Sequence, residues 1–194
     1  ADYHHTETLL PTKYRQYSEK YWSKKIFAPS SLLFYVGFDK KIENVSHHTL
    51  FFDTDFDTHA KTIYDNPSWP DKPLFYASFP SITDHNLAPE GKEAATFLIP
   101  LAPGLEDTEE LREEYFEKII TRLERLTNQD VKNNIIFKES FCVKDFIKDT
   151  DGDLLIDKGD FVVSESDGFH IENLLRAEKG EYKQHPLEFQ FHRK

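Results

Sequence analysis

Residues 31–38 have the sequence SLLFYVGF, and this stretch is the most informative part of the chain about the fold. Apolar side chains occupy both sets of alternating positions, a pattern typical of a buried strand. Residues 73–79, PLFYASF, repeat this pattern, and residues 96–99, TFLI, form a third apolar run that we expect Pro100 to close. The three runs predict strands of one buried sheet.

Helical patterns accompany these strands. The clearest is predicted over residues 108–126, after a start that resembles a capping box at Asp107 and Glu110. Its apolar side chains repeat every four residues, at Leu111, Tyr115, Ile119 and Leu123. A shorter helix is predicted over residues 56–64, ended by Asn66 and Pro67.

The character of the sequence changes after Asp149. Residues 151–163 predict a β-hairpin with its turn at 157–160, and residues 167–178 predict a helix. The fold class is therefore α+β, a mainly antiparallel sheet with flanking helices, plus a C-terminal β-hairpin and helix. Two units are expected, residues 1–148 and 149–194.

Composition restricts the function. The chain has 194 residues, a net charge of −11, one cysteine and no methionine. The negative charge argues against nucleic acid as a partner, because such proteins need a basic face. A single cysteine excludes an intrachain disulfide and favours a reducing compartment. An Ala start without methionine is expected of a piece of a longer chain.

Aromatic side chains are abundant, with 17 Phe and 9 Tyr. They predict either a Phe-rich core or an aromatic groove for a long apolar ligand. The side chains expected to line such a groove lie on the three predicted strands. They are Phe34, Tyr35, Phe75, Tyr76, Phe79 and Phe97. Because side chains alternate along a strand, about half of them can face any one groove.

Residues 11–25 predict a helix that is basic within an acidic chain. Five Lys and Arg stand against one Glu, a net charge of +4. Such a Lys-, Tyr- and Trp-rich helix can lie at a membrane surface, or it can be an ordinary surface helix. The residues expected to face a membrane are Lys13, Tyr17, Tyr21, Trp22 and Lys24.

Several acidic and sulfur-containing residues are candidates for chemistry. Residues 53–59 alternate acids with Thr and Phe, a pattern suited to proton transfer or, more simply, to a solvated loop and helix cap. The aspartates of residues 149–160 have the spacing of a calcium-binding loop. However, Leu154 occupies the position at which the sharp turn of such a loop needs glycine. No metal site is therefore expected. Cys142 is expected to be a buried thiol.

Three pieces of the first half form one recognisable pattern. They are HHTLFFD at residues 47–53, PLFY at 73–76 and PSITDHNLAPEG at 80–91. Together they resemble the bacterial-type phytoene desaturases, flavin-dependent enzymes that dehydrogenate carotenoid precursors. The resemblance covers residues 1–148. It implies that this segment is the substrate-binding portion of such an oxidoreductase, with a long apolar polyene as ligand.

The resemblance also implies FAD as the cofactor of the complete enzyme. However, none of the seven glycines stands in the GxGxxG spacing that holds a dinucleotide pyrophosphate. This chain alone is therefore not expected to hold FAD or to carry out the redox step. The resemblance further implies a cytoplasmic protein, peripheral at the inner face of the membrane.

Residues 152–188 resemble small phage-tail or baseplate-associated proteins. This likeness favours an alternative function, a non-enzymatic assembly or interaction module in which the tail is the active part. Retention of flavin would favour the desaturase interpretation, and formation of rings or filaments would favour the module. A homo-oligomer is compatible with both. The carotenoid, the number of desaturation steps and the origin of the tail stay open.

Overall fold

A computed structural model describes residues 3–25, 29–149 and 189–192 of the chain. Most of the predicted C-terminal unit, including the hairpin, the helix and residues 150–160 of the calcium-like spacing, lies outside the described residues. Five helices are described. They are α1 (Tyr3–Leu9), α2 (Glu19–Trp22), α3 (Phe56–Tyr64), α4 (Glu109–Thr127) and α5 (Val143–Asp149).

One six-stranded sheet forms the centre of the described fold. Its strands are β1 (Ser30–Phe38), β2 (His48–Phe51), β3 (Phe75–Ser78), β4 (Glu93–Leu101), β5 (Ile135–Phe141) and β6 (Phe189–His192). Their order is β5-β1-β4-β3-β2-β6. All neighbours are antiparallel except β6, which pairs parallel with β2. The α+β class and the mainly antiparallel sheet predicted from the sequence are confirmed.

The core lies between the sheet and α4. Tyr115, Phe116, Ile119, Ile120 and Leu123 are buried on the inner side of this helix. The ring of Phe116 lies 5.0 Å from the ring of Phe34 on β1. Burial of this many apolar side chains is the main stabilising contribution to a fold of this size.

The start of α4 differs from the prediction. Thr108 caps the helix, and its hydroxyl accepts a hydrogen bond from the Leu111 amide. Asp107 is not the cap, because its carboxylate forms two hydrogen bonds with the guanidinium of Arg112. Asn128 ends the helix in the left-handed conformation, with φ of 56°, which Asn tolerates better than most residues.

The end of β4 also differs from the prediction. β4 continues through Pro100 to Leu101, although Pro100 was expected to end it. Pro100 lies beyond the last pair between β3 and β4, which joins Tyr76 to Leu98. Beyond Leu98, β4 pairs with β1 alone. Proline is tolerated here because its missing backbone N–H need not interrupt hydrogen bonding to a second neighbouring strand.

The predicted helix over residues 11–25 is broken into two short pieces. A 3-10 turn spans Thr12–Tyr14, and α2 covers four residues after its cap at Ser18. Arg15 between them is extended, with ψ of 133°, and its guanidinium donates to the carbonyls of Thr8 and Leu10. These bonds draw the chain back onto α1 and prevent one continuous helix.

Candidate ligand-binding face

The two faces of the sheet have different surroundings. The face toward α4, here the helix face, carries residues 93, 95, 97, 99 and 101 of β4, all of them buried. The intervening residues 94, 96, 98 and 100 point to the opposite face, here the second face, and are half-buried. A strand alternates its side chains in this way, so each face has its own set of residues.

An apolar row crosses the second face. Strand register places one side chain from each of five neighbouring strands in line. The row, here the apolar lane, consists of Phe141, Leu33, Leu98, Tyr76 and Leu50. With strands about 4.8 Å apart, it extends for about 19 Å. All its members except the buried Leu33 are half-buried. This lane could hold an elongated apolar molecule across the strands.

One end of the apolar lane has a wall. Phe146 of α5 is buried against Leu33, and its ring lies edge-on to that of Phe141 with centroids 4.7 Å apart. Tyr35 and Leu98 pack on the same small cluster. The lane is thus bounded at β5 and continues from Leu98 toward β2.

A histidine and a tyrosine meet near the β2 end. The Nδ1 atom of His48 lies 2.6 Å from the hydroxyl oxygen of Tyr76. Burial, with a smaller contribution from the charge of His47, lowers the pKa of His48 to about 4. The imidazole is therefore neutral near pH 7, where it can accept a hydrogen bond at one ring nitrogen and donate one at the other. Burial also raises the pKa of Tyr76.

His47 supports this pair from the side. Its ring stacks on that of His48 with centroids 4.2 Å apart, and its Nδ1 atom lies 2.7 Å from the Thr83 hydroxyl. Burial lowers the pKa of His47 as well. Adjacent histidines were not expected to form a ready metal site. Among the described residues, no cluster of three His, Cys, Asp or Glu side chains could hold a metal ion.

The six strand aromatics divide between the two faces. Phe34, Phe75, Phe79 and Phe97 lie on the helix face and are at most 1% exposed. Tyr35 and Tyr76 lie on the second face and are half-buried. A groove on the second face would therefore not be lined by the four Phe side chains. Leu33, Leu50 and Leu98 stand on that face in register with Tyr76. Sequence reasoning did not select them, because an isolated Leu carries no signal of function.

The aromatic residues of the N-terminal segment gather into one cluster. The ring of Tyr17 stacks on that of Tyr21 at 4.3 Å, and Trp22 meets both edge-on. Tyr17 and Tyr21 are about one third exposed, and Lys13 and Lys24 of the same segment are exposed. Within the described residues, no helix is long and apolar enough to cross a bilayer.

A buried ionic network joins the start of α4 to α5. The Arg112 guanidinium forms two hydrogen bonds with Asp107, of 2.7 and 2.6 Å, and lies 2.7 Å from a carboxylate oxygen of Asp145. Asp107 also accepts the Lys144 amide, while Asp145 accepts the Cys142 amide. Despite the opposing effect of burial, the bonds from Arg112 hold the pKa of Asp107 below its usual range. The network fixes the helix that walls the lane.

The acidic residues after β2 have structural roles. Asp55 caps α3 by accepting the Thr58 amide at 2.8 Å, as the cap interpretation predicted. Asp53 is buried and pairs with Arg122 and Arg125 of α4. Asp53 and Asp55 also line a cleft of about 910 Å³ beside α3. Because both carboxylates are already engaged, neither is poised for acid–base chemistry.

Cys142 is buried, as expected from the sequence. Burial, with a smaller contribution from the nearby charge of Asp107, raises the pKa of its thiol to about 12. A thiol of that pKa is almost fully protonated at neutral pH, so little of the reactive thiolate is present.

His59 links α3 to the sheet in its neutral form. Its Nδ1 atom accepts the Leu74 amide at 2.9 Å, so Nε2 carries the proton and donates to the Pro100 carbonyl, also at 2.9 Å. Burial lowers the pKa of His59 below 6.5. Protonation would place a second hydrogen where the Leu74 amide donates, and the contact would be lost.

We expect the free energy of unfolding to fall as the pH drops from 7 to 5. The pKa values of His59, His47 and His48 are lowered in the folded chain. In this pH range these histidines therefore take up protons in the unfolded chain and stay largely neutral in the folded chain, which favours unfolding. Glu93, whose pKa is raised by burial, opposes the trend. Urea unfolding at several pH values should show a shallower slope for His59→Gln than for the unaltered protein. An identical slope would contradict the neutral-histidine account.

Part of the chain is similar in sequence to known proteins. No family model matches the chain. It is 44% identical over 147 residues to a carotenoid 3,4-desaturase of Haloarcula japonica, covering 75% of this chain and 30% of that protein. It is 34% identical over 103 residues to the 4,4'-diapophytoene desaturase (4,4'-diapolycopene-forming) of a Methylomonas species, covering 52% of this chain and 20% of that protein.

A third relative is the 4,4'-diapolycopen-4-al dehydrogenase of Metabacillus indicus. It is 32% identical over 110 residues, which cover 57% of this chain and 22% of that protein. The matched part of the chain thus spans less than a third of the length of these curated relatives. The chain carries a segment similar to carotenoid desaturases. The likeness of residues 152–188 to phage-tail proteins has no counterpart among these three relatives.

Proposed function

We propose that this chain supplies the polyene-binding surface of a carotenoid desaturase, with the apolar lane as the binding site. The observation that carries the proposal is the register of Leu50, Tyr76, Leu98 and Leu33, which aligns apolar groups from four strands. A conjugated polyene is long, rigid and apolar, so it can contact the half-buried Leu98, Tyr76 and Leu50 at a small cost in conformational entropy. The names of the relatives supply the ligand class.

Flavin chemistry does not fit the residues present. A dinucleotide site of the expected kind needs a parallel strand, a glycine-rich turn and a helix. The five strands from β5 to β2 are antiparallel, and no glycines stand at GxGxxG spacing. This chain would therefore hold and orient the polyene, while the complete enzyme would supply the flavin from another part.

The lane can be tested by titrating the protein with lycopene in detergent and following the absorbance of the bound polyene. We expect Leu98→Ser to weaken binding about tenfold or more, because one half-buried Leu contact with the ligand is lost. Leu87→Ser is the matched control, since Leu87 is 53% exposed and lies outside the lane. If the two variants lose the same amount of affinity, the apolar lane is not the binding site. The same conclusion follows if the unaltered protein shows no saturable binding.

We also propose that the cluster of Tyr17, Tyr21 and Trp22 lies at an anionic membrane surface, from which an apolar ligand could enter. The segment is basic, and the Lys25 ammonium sits 4.2 Å from the centre of the Tyr21 ring. Rings of this type favour the headgroup region, and nearby ammonium groups favour lipid phosphates.

Vesicle sedimentation tests this membrane proposal. Binding to vesicles that contain phosphatidylglycerol should fall about tenfold in the double variant Tyr17→Ser with Tyr21→Ser, and it should weaken with added salt. Tyr64→Ser provides the control, because Tyr64 is 55% exposed on α3, outside the cluster. If the control loses as much binding as the double variant, the cluster is not the contact surface.

A further inference from the structure

A histidine of α3 stands between the ends of two strands. The register that pairs Tyr76 with Leu98 places Leu74 opposite Pro100, two residues beyond the last pair between β3 and β4. The imidazole of His59 joins them, because Nδ1 accepts the Leu74 amide and Nε2 donates to the Pro100 carbonyl. These two hydrogen bonds, here the His59 bridge, connect β3 and β4 through α3. Pro100 has no backbone N–H with which it could donate to β3 at this position.

Helix α3 buries little apolar surface of its own. Of its nine residues, His59 alone is buried, at 4% exposed. Five of the others are exposed, and Phe56 and Tyr64 at the two ends are 58% and 55% exposed. An element with so few buried contacts belongs to the low-stability part of a fold. The attachment of α3 to the sheet therefore depends strongly on the His59 bridge.

The bridge requires a neutral imidazole. Nδ1 needs its lone pair to accept the Leu74 amide, while Nε2 needs the hydrogen that the Pro100 carbonyl accepts. A proton added at Nδ1 would point at the Leu74 N–H, so two donors would face each other. Burial, together with the charge of Arg122, lowers the pKa of His59 despite the opposing effect of the bond to Pro100.

The charged groups around His59 are either paired or exposed. Asp53 forms ion pairs with Arg122 and Arg125 of α4, and Asp55 accepts two hydrogen bonds from the first turn of α3. The exposed groups lie on α3 and on the segment before β3, and they are Asp57, Lys61, Asp71 and Lys72. Solvent and salt screen such exposed charges. Within the described part of the chain, a protonated His59 would thus gain no close ion pair in its buried position.

We infer that the His59 bridge is a pH-dependent switch, which detaches α3 from the sheet as the pH falls while the core under α4 stays folded. Detachment would widen the cleft beside α3, because this helix forms one side of it. It would also occur whether or not the second face binds a polyene.

The direction of the switch follows from proton binding. In the detached form the ring of His59 is solvated and has an ordinary pKa near 6.5, whereas the attached form has a lowered pKa and resists the proton. The attached form is therefore fully favoured above pH 6.5, and this preference decreases as the pH falls toward the lowered pKa. Each pH unit in that range should raise the ratio of detached to attached protein by up to about tenfold.

Native-state hydrogen exchange, followed by NMR at pH 7 and pH 5, measures the detachment. After correction for the intrinsic exchange rate, the amides of residues 60–64 should open more readily than those of Ile119 and Leu123 in α4, which report unfolding of the core. Their opening constant should rise about tenfold or more from pH 7 to pH 5. His59→Gln should remove this rise, because Gln can accept and donate hydrogen bonds but does not titrate. His48→Gln is the control, since His48 also has a lowered pKa but lies on β2, and the rise in α3 should persist.

Two results would overturn the switch. If α3 and α4 open with equal constants at pH 5 in the unaltered protein, α3 leaves the sheet only when the whole fold unfolds. This comparison needs no substitution, so it decides the question even if His59→Gln fails to fold. If the pH-dependent rise persists in His59→Gln, a group other than His59 takes up the proton.

Discussion

Replacing Arg112 with methionine should lower the free energy of unfolding by about 3–5 kcal/mol, the usual cost of leaving a buried charge without its partner. The Arg112 side chain is 7% exposed, and the carboxylate of Asp107 that it binds is fully buried. Methionine fills similar space but gives Asp107 no positive charge. Urea denaturation followed by circular dichroism measures the loss.

Arg125→Met is the matched control for this experiment. Arg125 also pairs with a buried carboxylate, at 2.5 Å from Asp53, but its own side chain is 55% exposed and Arg122 still pairs with Asp53. We expect a loss of about 1 kcal/mol or less. If both variants lose the same amount of stability, the Arg112 network is not what fixes α5 against the sheet.

Phe97→Ala should also lower the free energy of unfolding by about 3–5 kcal/mol, the range for removing a fully buried aromatic ring. Phe97 is 0% exposed, and its ring lies 6.3 Å from that of Phe75 and 6.0 Å from that of Phe79. The rings are packed under α4, so little relaxation can fill the cavity. Thermal and urea unfolding give the measurement.

Phe137→Ala is the control for Phe97→Ala, because Phe137 is 53% exposed on β5. Its loss should stay below about 1 kcal/mol, as for most surface substitutions. Phe75→Leu adds a test of function. It keeps most of the apolar volume on the helix face, so lycopene affinity should be unchanged if the ligand lies on the second face. A loss of lycopene affinity without a loss of stability would show that Phe75 contacts the ligand.

Three strands of the sheet and the helices α3 and α4 were predictable from the sequence, for a simple reason. A strand that is buried on both faces, such as β1, has an unbroken run of apolar residues. A helix that is buried on one side, such as α4, has an apolar residue at every third or fourth position. The bounds of α3 followed from its cap and from the Asn-Pro stop. These signals are local, so they can be read without knowing any tertiary contact.

The edge strand β5 was missed for an equally physical reason. Its residues IIFKESF are mostly exposed, and Ile136 and Phe137 are more than half exposed. A strand with one neighbour does not need the alternation that reveals a half-buried strand. β2 was missed because its four residues are too short for a period to show.

The candidate site itself depends on register, which a single sequence does not reveal. Leu33, Leu50 and Leu98 lie far apart in the chain and meet only because four strands pair in a particular alignment. A shift of one residue in any strand would send its Leu to the helix face. Tyr35 and Tyr76 were selected from the sequence because they are aromatic, whereas the leucines of the lane carry no comparable signal.

The broken N-terminal helix shows the opposite case, in which tertiary contacts override a local pattern. Residues 11–25 have helical spacing of their Tyr side chains, but the Glu7 carboxylate accepts the amides of Gln16 and Tyr17. These bonds to α1 hold the chain extended before α2. Side-chain bonds to the backbone compete with helix formation in this way.

Methyl NMR of the leucine-labelled protein tests the polyene-binding face most directly. On addition of lycopene in detergent, we expect the methyl signals of Leu33, Leu50 and Leu98 to shift. Those of Leu32, Leu101 and Leu123, which are buried on the helix side, should stay in place. Shifts confined to the second face would establish the lane as the binding site. Shifts of the helix-side leucines without the lane leucines, or no saturable shift at all, would contradict it.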